Sequence, residues 1–406
     1  MTVIAIKSLD KYQEIVGESL IQKIRDEASS LSEKKMVHIN STYQGGGVAE
    51  ILNSLIILLN DVGIETDWRI LHGNLDFFTI TKKFHNALQG DRINLSPKKK
   101  EIYYINNVNN AIFSHINHDF VVVHDPQPLP IITCYKKRQP WVWRCHIDIS
   151  TPMRDVWEYL KMFILKYDAM IISMEKFRPR DIPKSVMPHF IIRPSIDPLK
   201  IKNRDIPNST VSKYLSKHGI DQDKPMIAQI SRFDKWKDPE GMIKIFKIIK
   251  RKVDCQLILA GSMATDDPEG QEIFENLEKL VEQEKDIHLV INASDILINA
   301  LQRVSSVVVQ KSLKEGFAIT VSEALWKGTP VVTSNVGGIS SQVIHGKNGY
   351  LLNPKDYNGF AEKISYLIKN PEVAKKMGEY GKTYVKNNFL ITRHLLDYIR
   401  LMKAVM

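Results

Sequence analysis

The sequence predicts an α/β protein built from two doubly wound, Rossmann-like domains. Three observations carry this prediction. The chain has 406 residues, more than a single core ordinarily organises. Short apolar runs alternate with stretches of helical periodicity. That alternation halts at a turn-rich joint, Arg193-Pro194-Ser195-Ile196-Asp197-Pro198, and restarts beyond it. Residues 1–195 are therefore assigned to the first domain and 196–385 to the second, with the last helix, about 386–406, expected to return to the first. Two such units in tandem are expected to face each other across a cleft.

Composition excludes several classes. With 43% hydrophobic and 25% charged residues the chain reads as globular and soluble. No run of 18 apolar residues occurs, and the first 15 residues lack a signal peptide's apolar core, so a cytoplasmic location is expected. Cys134, Cys145 and Cys255 have no metal-ligand spacing and are read as reduced thiols. The net charge of +10 invites a nucleic-acid reading, but the basic residues are scattered and no nucleic-acid motif accompanies them. A pocket for an anionic substrate accounts for the excess more economically.

In the first half, residues up to about 35 read as a polar peripheral helix. Met36 to Asn40 then reads as a strand, Ser41 to Gly47 as a glycine-rich loop and Val48 to Val62 as a helix. The apolar positions Val48, Ile51, Leu52, Leu55, Ile56, Leu59 and Val62 recur at helical spacing, and Gly63 suits a left-handed cap. Gly45, Gly46 and Gly47 let the backbone approach phosphate or sugar oxygens, although a tight turn alone would also use them. The loop is neither Gly-x-Gly-x-x-Gly nor a Walker A, which argues against a dehydrogenase or a P-loop NTPase. Further strands are predicted at Ile102 to Ile105, Phe120 to His124, Trp141 to Ile147, Ala169 to Ser173 and Phe190 to Arg193. Two of them run into polar segments, His124-Asp125-Pro126 and His146-Ile147-Asp148, at the strand ends where open α/β sheets bind ligands. A lone histidine at a strand end is ordinarily structural. Here two ends each carry a histidine with an aspartate, which favours function.

In the second half, strands are predicted at Pro225 to Ser231, Cys255 to Ala260, Ile287 to Ile291, Ser306 to Gln310 and Thr329 to Thr333. Arg232 and Lys237 follow the first of these, five apart on a loop that leads into a helix. A guanidinium fork and an ammonium point charge placed there could close on one phosphate from two directions. Gly261-Ser262 and Gly337-Gly338 allow backbone close to the nucleotide or acceptor side. The stretch Leu313 to Thr333, LKEGFAITVSEALWKGTPVVT, reads as loop, short helix and buried strand. Gly316, Phe317 and Ala318 form the helix mouth, where unpaired N–H groups suit a phosphate. A carboxylate there would repel the anion, so Glu315 is expected to accept hydrogen bonds from neighbouring hydroxyls. Glu323, about two turns along, would reach a second set. A ligand with hydroxyls at both ends and phosphate between them is a sugar nucleotide.

The glycine loop, the histidine strand end, the Arg-x4-Lys loop and the Glu-x7-Glu spacing followed by Gly-Thr-Pro-Val-Val resemble, in that order along the chain, the retaining glycosyltransferases of family 4. The segments WRCHIDISTP, HDPQPLP and STYQGGGVAE are similar to a narrower group, the trehalose glycosyltransferring synthases. What the resemblance implies is a GT-B fold and transfer of glucose from ADP- or UDP-glucose to free glucose, with retention. It assigns Arg232 and Lys237 to the leaving diphosphate, Glu315 to donor-sugar hydroxyls, Glu323 to the ribose and His146 to the donor sugar near the reaction centre. Gly46 and Gly47, Gly261 and the mouth Gly316, Phe317 and Ala318 would complete the donor side. Asp125, Asp148, Gly337 and Gly338 would serve the acceptor. No metal is expected, because protein cations take its place and no Asp-x-Asp motif stands beside the donor site.

Two alternatives accompany this reading. Another family 4 acceptor, such as a sucrose, glycogen or lipid type, is one; a lipid acceptor would favour an amphipathic face, for which Ile70 to Gly90 is the nearest candidate, although that segment reads better as an acceptor-side loop and helix. The other is a non-catalytic sugar-nucleotide-binding protein, which loss of Arg232, Lys237 or Glu315 would have favoured. Small-molecule substrates, no nucleic acid, no membrane and a homodimer complete the expectations.

Overall fold

A computed structural model describes residues 8–43, 46–261 and 268–406. Gln44 and Gly45 of the glycine loop, and Ser262, lie outside the described residues. The chain divides into two compact units, Met1–Ser195 with Ile391–Met406, and Ile196–Leu390.

Among the described residues the first unit holds six parallel strands, β1 (Lys35–Asn40), β2 (Glu65–Ile70), β3 (Phe120–His124), β4 (Trp141–Arg144), β5 (Ala169–Ile172) and β6 (His189–Ile191). Their order is β2-β1-β3-β4-β5-β6. Val121, Val122, Val123, Trp141 and Trp143 are fully buried, as continuous apolar runs must be in a parallel sheet covered on both faces. The helix Gly47–Asp61 follows the glycine loop directly. The last helix, Ile391–Val405, packs on it and on the helix Glu18–Ser29, where Arg400 donates to both carboxylate oxygens of Glu27 at 2.9 and 2.7 Å.

Two expectations for this unit are corrected. Ile102 to Ile105 does not form a strand and lies inside the helix Pro97–Ser114. Ser96 caps that helix, Pro97 begins it, and Tyr103, Asn107 and Ala111 turn inward at a spacing of four. A four-residue apolar run cannot by itself distinguish the two states. The strand missed is β2, an edge strand whose Asp67 and Arg69 pair with one another at 2.8 Å; an edge need not be apolar. The segment 70–90 contains a core helix, Leu75–Leu88, capped by Asn74 and burying Phe77, Ile80 and Phe84.

The second unit repeats the plan with β7 (Met226–Ile230), β8 (Gln256–Gly261), β9 (Ile287–Ile291), β10 (Val307–Gln310), β11 (Val331–Ser334) and β12 (Gly349–Leu352), ordered β12-β11-β10-β7-β8-β9. Strand β12 is an edge strand beyond those predicted. Gly349 lets it close on β11, since a Cβ there would lie 2.4 Å from the Val331 carbonyl oxygen. In each unit the strand order reverses at the centre, between β1 and β3 and between β7 and β10. The loops leaving those strand ends therefore come together, which is where such sheets bind ligands.

Candidate functional site

In the second unit the loops after β7 and β10 meet. Asp234, buried, caps the turn Lys235–Lys237 by accepting from the amides of Trp236 and Lys237 at 2.9 and 3.2 Å. Its other oxygen lies 3.1 Å from the exposed guanidinium of Arg232. The Leu313 amide donates to the Trp236 carbonyl at 2.7 Å, joining the two loops. Lys237 Nζ then donates to Glu315 Oε2, and Ser312 Oγ donates to the same oxygen at 3.3 Å. Glu315 Oε1 has no partner among the described residues and can accept from a ligand hydroxyl. Next to Lys237, Asp238 forms an ion pair with the fully buried Lys311 and caps the helix Pro239–Lys250 through the Gly241 amide at 3.1 Å. These bonds fix the backbone on both sides of Lys237.

The helix Ile319–Trp326 starts from Ala318, which holds a left-handed φ of 66° and offers no side-chain cap. Its first amides thus stay open to an anion. Phe317 is buried against Phe389. Gly337 and Gly338 lie behind this loop: a Cβ on Gly337 would sit 1.5 Å from the Glu315 carbonyl oxygen, and the Gly338 amide donates to the Gly316 carbonyl at 3.0 Å. Gly261 plays the same part for the Arg232 loop, with a Cβ position 1.7 Å from the Ser231 carbonyl oxygen. Backbone packing therefore accounts for these three glycines. Glu323 is fully buried, with Lys202 Nζ 2.9 Å from Oε1 and Gln302 Nε2 donating to Oε2 at 3.1 Å. Burial pushes its carboxyl up, but Lys202 and Lys327 outweigh burial and hold it below the ordinary glutamate value. A ribose hydroxyl would reach it only by displacing these partners.

In the first unit three imidazoles form a line. His38 Nδ1 lies 2.9 Å from His124 Nε2, and His124 Nδ1 lies 3.0 Å from His146 Nε2. The His124 and His146 rings stack with centroids 5.3 Å apart, and His38 packs on Tyr398 of the last helix. Burial lowers His38 to about 3 and holds His124 and His146 well below the ordinary histidine value, aided by the buried cation of Arg144. All three rings are therefore neutral. Asp125, at a left-handed φ of 60°, accepts the His146 amide at 2.8 Å; burial raises its carboxyl from 3.8 to about 7. Asp148 is half-buried and accepts the Ser150 amide at 3.0 Å. Gly46, with φ 86°, caps the helix that Gly47 begins.

The structure thus brings Lys237, Glu315, Gly316, Gly337 and Gly338 together in the second unit, and His146 with Asp125 in the first. Glu323, further along the same helix, is buried among its own partners. Sequence reasoning missed His38, Arg144, Asp234, Lys311 and Tyr398. Only His38 left a signal: it sits in the strand before the glycine loop, and a doubly wound order makes that strand the neighbour of the one ending in His124.

Comparison with known proteins agrees with this architecture. Residues 38–179 match the family of trehalose synthase N-terminal domains, and residues 211–384 match the glycosyl transferases of group 1. A trehalose synthase of Thermococcus litoralis is 42% identical over 404 residues, covering 98% of this chain and 97% of that one. A trehalose synthase of Rubrobacter xylanophilus is 41% identical over 406 residues, covering 97% and 96%. Among solved structures, a UDP-forming α,α-trehalose-phosphate synthase of Burkholderia xenovorans superposes with a TM-score of 0.72 at 15% identity, covering 92% of this chain and 99% of that one. At that identity the likeness is one of fold, and the fold is GT-B.

Proposed function

Because the chain belongs to the trehalose synthase family of glycosyltransferases, we propose that it transfers glucose, with retention, from ADP- or UDP-glucose to free glucose and so forms trehalose. The observation that carries the proposal is the ammonium of Lys237 held on Glu315 beside the open helix mouth at Ile319. A cation, unpaired amides and one unoccupied carboxylate oxygen suit a diphosphate joined to a sugar.

In this reading the second unit holds the nucleoside diphosphate. Arg232, Lys237 and the mouth amides neutralise it, and Glu315 Oε1 accepts from glucosyl hydroxyls. In the first unit His146 meets the glucosyl group, Gly46 and Gly47 the diphosphate, and Asp125 and Asp148 the acceptor hydroxyls. The bond from the anomeric carbon to the diphosphate oxygen breaks, and the acceptor oxygen bonds to that carbon on the same face. The acceptor's proton passes to the departing phosphate oxygen. Charge grows on the diphosphate as it leaves, so fixed cations and amides stabilise the transition state more than the ground state. These groups would take the place of a metal ion. The two-carboxylate route of glycosidases is less suited, because Glu315 is committed to Lys237.

The test is to incubate the protein with ADP- or UDP-glucose, with and without glucose and with a chelator, following nucleotide release and product by NMR. Glucose-dependent release with an α,α-linked disaccharide is expected. Conversion of maltose to trehalose without any nucleotide would overturn the reading.

A further inference from the structure

We propose that His38 and His124 are positioning residues that lock the tautomer of His146, so that its Nδ1 presents a proton to an oxygen of the glucosyl group. The clause about the sugar rests on the transfer reading above; the locked tautomer does not.

The argument is a proton count. Three neutral imidazoles carry three protons on six nitrogens. Each of the two ring-to-ring bonds, 2.9 and 3.0 Å long, holds one proton. The third must sit at one end of the line, on His38 Nε2 or on His146 Nδ1. The two states differ by shifting every proton along the line together, so the two ends are exclusive. His38 Nε2 is buried and has no hydrogen-bond partner among the described residues. A proton there would be an orphaned buried donor, which folded proteins tolerate less than an under-satisfied acceptor. His146 is half-buried and its Nδ1 has no partner among the described residues, so a proton at that end remains available to a ligand. Arg144, fully buried beside the line, opposes a fourth proton on His124 or His146, and burial opposes one on His38. The His146 amide held by Asp125 fixes where the last ring starts. The line therefore sets both the orientation of His146 and the hydrogen bond it offers.

The test has two arms on the full chain. The first reads long-range nitrogen–proton couplings of 15N-histidine-labelled protein without substrate, with His38, His124 and His146 assigned from single variants. Protonated Nδ1 and bare Nε2 on all three rings are expected; Nε2–H on His146, or a tautomer mixture, would overturn the proposal. The second measures kcat and KM. His38→Phe, which keeps volume and loses the nitrogen, should lower kcat about 10-fold or more with little change in the glucose KM. His38→Asn, whose amide can donate from the Nδ1 position, should recover part of that. On a His146→Ala background His38→Phe should cost nothing further. An undiminished cost in the double variant would mean that His38 is merely structural and would overturn the proposal. If His38→Phe does not fold, the wild-type tautomer still decides. Absence of wild-type turnover would count against the transfer reading, which the substrate-free spectrum does not use.

Discussion

Lys237 donates its ammonium to the carboxylate of Glu315 across 78 residues of sequence, and both side chains are more than four-fifths shielded from solvent. The bond joins the two loops that leave the centre of the second sheet. It also makes the cation and the free oxygen of Glu315 one device.

Lys237→Met keeps the apolar stem and removes the charge. On the transfer reading kcat/KM should fall by about 10² to 10³, the usual loss for one donor to a developing anion. The unfolding free energy should change much less, by about 1 to 3 kcal/mol for a carboxylate that loses one of two donors. Steady-state kinetics beside a denaturant titration separates the two effects. A wild-type rate in this variant would remove Lys237 from the site.

Asp125 gives a pH signature. Its carboxyl titrates at about 7 in the fold and near 3.8 when exposed, because burial disfavours the charged form. The fold therefore binds the proton more tightly than the unfolded chain. Wild-type stability relative to Asp125→Asn should be highest below 3.8, decline as pH rises toward about 7, and level off above it. The asparagine keeps an oxygen for the His146 amide, so the variant should fold. Denaturant titrations at several pH values would show the decline; a constant difference between the two proteins would refute the assignment.

Glu323 has the opposite sign. Its value lies below the ordinary 4.5, so its contribution is fully present above 4.5 and is lost as pH falls through the lowered folded value. Glu323→Gln leaves Lys202 without its countercharge and should cost about 3 kcal/mol near neutral pH, in the range for breaking a buried pair. The difference in Tm between the two proteins should hold steady above 4.5 and narrow below it.

How much of this was legible depends on whether a residue announces itself locally. Arg232, Lys237 and Glu315 stand in loops directly after apolar strands, so their place at a ligand-binding edge follows from the alternation alone. That Lys237 and Glu315 touch does not follow, because it depends on β10 lying beside β7, a non-local fact. Glu323 reads as a second hydroxyl acceptor from its spacing, but helix spacing gives no hint of Lys202, which arrives from 121 residues away. His38 signals only its place, in the strand that neighbours the one ending in His124; its contact with that ring is again non-local. Ile102 to Ile105 hides its helix because a run of four is too short to reveal its period, and β2 hides its strand because its edge position lets it carry charge.

Gly337 offers a test that touches no ligand-facing side chain. It holds a left-handed φ of 48°, and any Cβ would overlap the Glu315 carbonyl oxygen at 1.5 Å. Neither atom is the end of a flexible side chain, so Gly337→Ala must move backbone. The loop Glu315 to Ala318 is the less buried of the two, since only its Phe317 is covered while Gly337, Gly338 and Ile339 are all buried. Displacing Glu315 by about 1 Å should cost on the order of 10² in kcat, as misplaced positioning groups do. The strain should also lower Tm, so the rate is compared well below the melting transition. Gly219→Ala is the control: it has a similar positive φ, 65°, but open space around the new Cβ. If Gly337→Ala turns over at the wild-type rate, the helix mouth does not depend on this contact and Glu315 is held by Lys237 and Ser312 alone.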